Sequence, residues 1–165
     1  MKIVLLALLC LSALACDGGL EPPTTAVQVP MGTMTGLITY HNWPPIDSLH
    51  DLRLVAFRNF PPRDILTEVL QGRAAVYPPI GDSALVPFFV DSLRFIFVLP
   101  AGTYEYVAIA QQYGPSISTD WRAVGQYDLD TNLTIPSSVE VIANDTTGGV
   151  NIDVDFNNPP PPPFL

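Results

Sequence analysis

Prolines stand in pairs at Pro44-Pro45, Pro61-Pro62 and Pro78-Pro79, and they cut the chain into pieces too short for long helices. Proline donates no backbone N–H and its ring clashes with the preceding helical turn, so each pair ends the regular element before it. The pieces between these breaks alternate apolar and polar side chains with period two, the spacing of a strand with one buried face. Thr35–His41 and Leu52–Phe57 are rich in β-formers, and Leu93–Leu99 puts Phe95, Phe97 and Leu99 on one face. Tyr104–Gln112 sets Glu105, Val107, Ile109 and Gln111 opposite Tyr104, Tyr106, Ala108 and Ala110. Val139–Ile142 and Val150–Phe156 follow; in the last, Ile152, Val154 and Phe156 alternate with Asn151, Asp153 and Asp155. One short helix is expected over 64–71, with Asp64 as N-cap, an Ile65/Leu66/Val69/Leu70 face and Gly72 as its stop. Together these segments predict an all-β fold: an antiparallel Greek-key β-sandwich of about seven strands over residues 31–157.

The N-terminus follows a different logic. Lys2 supplies a positive charge, Ile3–Leu14 is an almost unbroken apolar run, and Ser12-Ala13-Leu14-Ala15 leads into Cys16. The run is well short of the eighteen or more residues a membrane-spanning helix needs and reads as the core of a signal peptide. A cysteine directly after the small residue at the cut resembles the bacterial lipobox, although Leu14 lies two places before the cysteine rather than three. The resemblance implies cleavage of residues 1–15, lipidation of Cys16, and export to the bacterial cell envelope, at the outer membrane or surface rather than the inner membrane. Each buried acyl methylene contributes about 0.8 kcal/mol, so two or three chains hold a protein durably at the membrane. Residues 16–30 carry Gly-Gly, Pro-Pro and Thr-Thr without a sustained period and read as a flexible tether. At about 3.1 Å per residue an extended tether spans on the order of 40 Å.

Charge and cysteine usage narrow the chemistry. Once Lys2 is lost, six arginines face sixteen acidic residues and no lysine remains, a balance of about −10. Such a surface repels nucleic acid and anionic lipid, so no nucleic-acid partner is expected. The cysteines are Cys10, lost with the signal, and Cys16, which would be acylated. The mature chain therefore has no thiol for catalysis, disulfides or cysteine-rich metal sites. Schiff-base chemistry lacks its lysine. No G-x-S-x-G elbow, P-loop or dinucleotide fingerprint is present. No cofactor is expected.

Leu99-Pro100-Ala101-Gly102-Thr103-Tyr104, with Gly36-Leu37-Ile38 and Leu52–Phe57 upstream, resembles the prealbumin-like sandwiches, which include carboxypeptidase regulatory-like and Cna-B-type domains. Physically, Leu99 ends a buried strand, Pro100 presets a turn, Gly102 takes a positive φ, and Tyr104 starts the return strand with its ring inward. The resemblance implies a non-catalytic module serving as spacer, stabiliser or adhesion unit.

Among candidate sites, the 111–127 stretch is the most distinctive. Tyr113, Asp120, Trp121, Arg122 and Tyr127 combine aromatic rings with a carboxylate and a guanidinium, the groups a sugar-binding surface uses, here expected on a loop carried by a rigid scaffold. Asp128, Asp130 and Asn132 have the alternating oxygens of a calcium loop's first half, but Leu133 and Val139 stand where its glycine and glutamate belong. His41 and His50, near Asp47 and Asp51, match no recurrent zinc spacing. Residues 158–165 form a proline-rich tail, a stiff polyproline II rod of a kind that can dock on aromatic grooves, expected here to be a disordered end or spacer. The resulting expectation is a non-enzymatic envelope lipoprotein, membrane-bound through its lipid, whose domain binds an envelope protein partner or, alternatively, a glycan.

Overall fold

The computed structural model describes residues 28–79, 86–130, 132 and 134–163; the signal segment 1–15, Cys16 and positions 17–27 of the tether lie outside the described residues. Ten strands run in chain order among these residues: β1 (Met31–His41), β2 (Asp51–Phe57), β3 (Ala74–Tyr77), β4 (Ser92–Pro100), β5 (Gly102–Tyr104), β6 (Tyr106–Gln112), β7 (Trp121–Gln126), β8 (Val139–Val141), β9 (Thr146–Thr147) and β10 (Ile152–Asp155). One short α-helix, α1 (Ile65–Leu70), lies between β2 and β3, and a single 3-10 turn (Ile46–Ser48) between β1 and β2. The fold is all-β, as the period-two segments require.

One sheet carries the order β3-β2-β6-β7-β10-β1-β4 with β9 beside β1, while β5 and β8 pair as a separate ribbon. The main sheet curls until its edges meet, with Tyr77 of β3 and Phe97 of β4 5.5 Å apart between ring centroids. The antiparallel expectation needs correction, because β10 and β9 both pair with β1 in parallel. Ile38 lies opposite Ile152 and His41 opposite Asp155. Period two reports which face of a strand is buried; it carries nothing about the direction of the neighbour.

The curl encloses an inner core that includes Met34, Ile38, Leu54, Phe95, Phe97, Leu99, Ile109, Ile152 and Val154. A second, outer cluster on the opposite face joins Val55, Phe57, Tyr106, Ala108 and Ala110, with Phe60 and Ile65 packed against it. Every residue of β6 is therefore buried, since both of its faces are covered. The hydroxyls of Tyr106 and Tyr40 have no hydrogen-bond partner among the described residues, and burial pushes both phenols well above their ordinary range. A buried hydroxyl without a partner carries a desolvation penalty of about 1–3 kcal/mol, which removing the oxygen relieves. Tyr106→Phe is accordingly expected to leave the melting temperature unchanged or raise it, by up to ~1 kcal/mol in stability, as read by denaturant titration.

Helix α1 starts and stops where its sequence signals lie. Asp64 accepts the Thr67 N–H at 2.7 Å, and Gly72 takes φ +68° just past the end. Leu70, expected on the apolar face, is instead 76% exposed. The buried position belongs to Glu68, whose carboxylate accepts from Arg73 Nε at 2.7 Å and Arg73 Nη2 at 2.9 Å. Those bonds hold the Glu68 carboxyl below its ordinary value of 4.5. A lowered folded-state value means the pair's stabilisation is present above the unfolded value and fades as pH falls through the folded one. The stability gap between the parent chain and Glu68→Gln is thus expected to be open at neutral pH and to close below about pH 4.5, measured by melts at stepped pH.

The Leu99–Tyr104 turn has the geometry expected of its residues. Leu99 and Tyr104 are buried and Gly102 takes φ +124°. The Tyr104 hydroxyl donates to the Pro100 carbonyl at 2.7 Å. Arg58, which the sequence did not single out, clamps the turn: it donates to the carbonyls of Pro100, Ala101 and Thr103 at 3.1–3.2 Å, and its guanidinium lies 4.0 Å from the Tyr104 ring centroid. The expected Tyr104–Gln112 strand breaks at Glu105. Tyr104 belongs to the β5–β8 ribbon and faces the inner core, whereas Tyr106 begins β6 and faces the outer cluster.

Candidate functional site

The 111–127 stretch is less of a loop than expected. Trp121–Gln126 is strand β7, inside the main sheet between β6 and β10. Gly125 permits this, since a Cβ there would meet Val154 Cγ2 at 2.7 Å and the Asp153 carbonyl at 2.8 Å. The connection from β6 to β7 is held by Asp120. Its backbone carbonyl accepts the Tyr113 N–H at 2.9 Å, and its carboxylate accepts from the Ser116 N–H and the Thr119 hydroxyl, both at 2.9 Å. Gly114 leaves room for that carboxylate, because a Cβ would lie 2.4 Å from Asp120 Oδ2. Trp121 is half-buried against the outer cluster and its indole N–H donates to the Ile117 carbonyl at 2.8 Å. Arg122 donates through Nε to the buried Gln111 at 2.9 Å, with its guanidinium 5.7 Å from the Tyr113 ring centroid. Gln111 in turn donates to the Ser48 carbonyl at 2.6 Å.

Tyr113, Trp121 and Arg122 are therefore brought together, with Asp120 supporting the loop between them. Tyr127 is not part of this group, because it packs against the inner core on the other face of the sheet. The group instead meets the proline tail. Tyr113, Trp121, Arg122 and Ala123 line one side of a trough of about 620 Å³, and Pro159–Pro163 line the other. Pro160 and Pro163 are buried while Pro159, Pro161 and Pro162 are exposed. Over these residues the tail is a packed strap rather than a free spacer. The run of five prolines was legible as a stiff rod; its landing place was not, since nothing local ties it to residues some forty positions earlier.

The other candidates scatter. Asp128, Asp130 and Asn132 use their side-chain oxygens on their own backbone: Asp128 accepts the Asp130 N–H at 3.3 Å, Asp130 the Asn132 N–H at 2.6 Å, and Asn132 the Thr134 N–H at 3.3 Å. Asp128 and Asp130 also border a hollow of about 400 Å³ with Asp153 and Asp155. Among the described residues no group of three or more histidine, cysteine or acidic side chains is arranged to hold a metal ion. His41 Nε2 lies 2.9 Å from Asp153 Oδ1 at the exposed end of β1. His50 is exposed before β2, and its backbone N–H donates to the Gln112 carbonyl at 3.0 Å. No helix among the described residues is long and apolar enough to cross a membrane.

No protein-family model matches the chain, and no curated protein matches it. A solved structure that does match is a leucine-rich repeat protein from Bacteroides thetaiotaomicron, 18% identical, with a TM-score of 0.40. The match covers 78% of this chain but 14% of that one, so the chain spans a small part of that protein's length.

Proposed function

We propose that this chain is a non-catalytic lipoprotein of the bacterial cell envelope, held by a lipid on Cys16 and presenting a prealbumin-like β-domain as a structural or protein-interaction module. The observation that carries this reading is the Tyr113–Trp121–Arg122 surface. Its polar groups give support, Asp120 to the loop and Arg122 Nε to Gln111, while Tyr113 and Trp121 line a trough together with the chain's own Pro159–Pro163. Rigid aromatics beside an arginine are what protein interfaces concentrate at their centres. A photo-crosslinking residue placed at Tyr113 in the membrane-bound protein is expected to give a discrete protein adduct that the same residue at Ile96, exposed on β4, does not. Equal yields at both positions, or no adduct at Tyr113, would count against the reading.

Glycan binding remains the second reading, favoured by Tyr113, a residue 43% exposed with its ring beside the Arg122 guanidinium. Trp121 suits it less well, being held against the outer cluster and bonded to Ile117. The discriminating variant is therefore Tyr113→Ala, expected on this reading to abolish retention on a polysaccharide column with the melt nearly unchanged.

A further inference from the structure

We infer that the surface of Tyr113, Trp121 and Arg122 is a recognition site for polyproline-II segments, faced in this chain by its own Pro159–Pro163 across the trough. The inference deepens the interaction-module reading and rests on it. Three observations converge. First, the burial pattern of the tail has period three: Pro160 and Pro163 are buried and the prolines flanking them are exposed. A polyproline-II helix has three residues per turn, so one residue in three faces a flat partner, and this spacing is what docking of such a helix produces. Second, the facing wall has the chemistry such helices dock on. Its lining includes two aromatic side chains, Tyr113 and Trp121, together with Arg122 and the small Ala123. Proline-rich ligands seat their rings against aromatic side chains in grooves of this kind, and their preset backbone loses little entropy on binding. Third, the wall is preorganised. Trp121 is fixed through Ile117, Arg122 through Gln111, and the Tyr113 backbone through Asp120.

The ligand class is thus an extended proline-rich segment of a protein, and the chain's own tail is an intramolecular competitor. A short tether holds such a competitor at an effective concentration in the millimolar range, so a free peptide sees a weakened site until the tail is displaced.

The test uses the full mature chain and fluorescein-labelled decaproline, followed by anisotropy. Replacing the two buried tail residues together, Pro160→Ser with Pro163→Ser, is expected to tighten decaproline binding by ~10-fold or more over the parent chain. Adding Tyr113→Ala to that double variant is expected to remove the gain. Should the double variant fail to fold, titration of the parent chain at high peptide concentration still reads the site: weak binding abolished by Tyr113→Ala supports it. Equal affinity for the parent and double variant, no binding by either, or binding indifferent to Tyr113→Ala would overturn the inference. Any of these with the Tyr113 crosslink adduct intact would remove the polyproline ligand while leaving the interaction module. Loss of the adduct with decaproline binding retained would do the reverse.

Discussion

Gly36→Ala is expected to destabilise the domain by on the order of 4 kcal/mol or more, enough to lower the melting temperature by roughly 10–20 °C or to prevent folding at 37 °C. The reason lies in how β1 receives its parallel neighbour. After Gly148 and Gly149 the chain crosses over β1 at Gly36 before β10 begins. A Cβ on residue 36 would lie 1.9 Å from the Val150 carbonyl oxygen and 2.5 Å from its carbon. Those are backbone atoms, so no rotamer change relieves the contact. Moving them away breaks the bond from the Val150 N–H to the Thr35 carbonyl at 3.1 Å and the bond from the Leu37 N–H to Asn151 Oδ1 at 3.0 Å. With them goes the approach that sets Ile38 opposite Ile152. Gly148→Ala is the matched control. A Cβ there would meet Thr35 Oγ1 at an ordinary 3.5 Å, so the change is expected to be neutral or to stabilise by a few tenths of a kcal/mol. Thermal melts of the two variants side by side separate the local clash from a general intolerance of alanine for glycine.

Trp43→Ala should have the second largest effect, a loss of about 3 kcal/mol, because the ring closes one end of the inner core. Its centroid lies 4.8 Å from those of Tyr40 and Phe156 and 5.4 Å from that of Phe89, and its indole N–H donates to the Val90 carbonyl at 3.1 Å. The side chain thus ties the end of β1, the segment before β4 and the residue after β10 into one aromatic cluster. Such clusters contribute both buried area and favourable tilted-ring geometry. Trp43→Phe keeps part of the ring contact and loses the hydrogen bond, so it should fall between the parent and the alanine variant in denaturant titration. Near-ultraviolet dichroism would register the loss of the ring cluster directly.

These two positions mark the boundary of what a single chain reveals locally. The faces of β4, β6 and β10, the Asp64 cap, the Gly72 stop and the positive φ of Gly102 each depend on residues a few places apart, and all were legible. Gly36 belongs to the same family of signals, but its need for a missing Cβ arises from a segment more than a hundred residues away. The parallel pairing of β10 with β1 and the curl of the sheet are long-range in the same sense. Strand β7 was hidden because Arg122, Gly125 and Gln126 interrupt its apolar residues. Its identity comes from the neighbours on either side. Of the candidate surface, Tyr113, Trp121 and Arg122 were legible as a group from aromatic and charged residues lying close in sequence. Tyr127 lies near them along the chain, but in space it packs against the inner core. The proline strap was legible as a rod able to dock on an aromatic groove, but not where it lands, because the residues it meets lie elsewhere in the chain.

The proposed attachment of this β-domain to a membrane through Cys16 is open to direct measurement. Cells expressing the full chain can be fed an alkyne-bearing palmitate, and the protein then recovered, clicked to a fluorophore and fractionated between membrane and soluble pools. The prediction is a labelled protein in the membrane fraction, with Cys16→Ser unlabelled and shifted away from its lipidated form. An unlabelled wild-type protein, soluble in the periplasm, would contradict it.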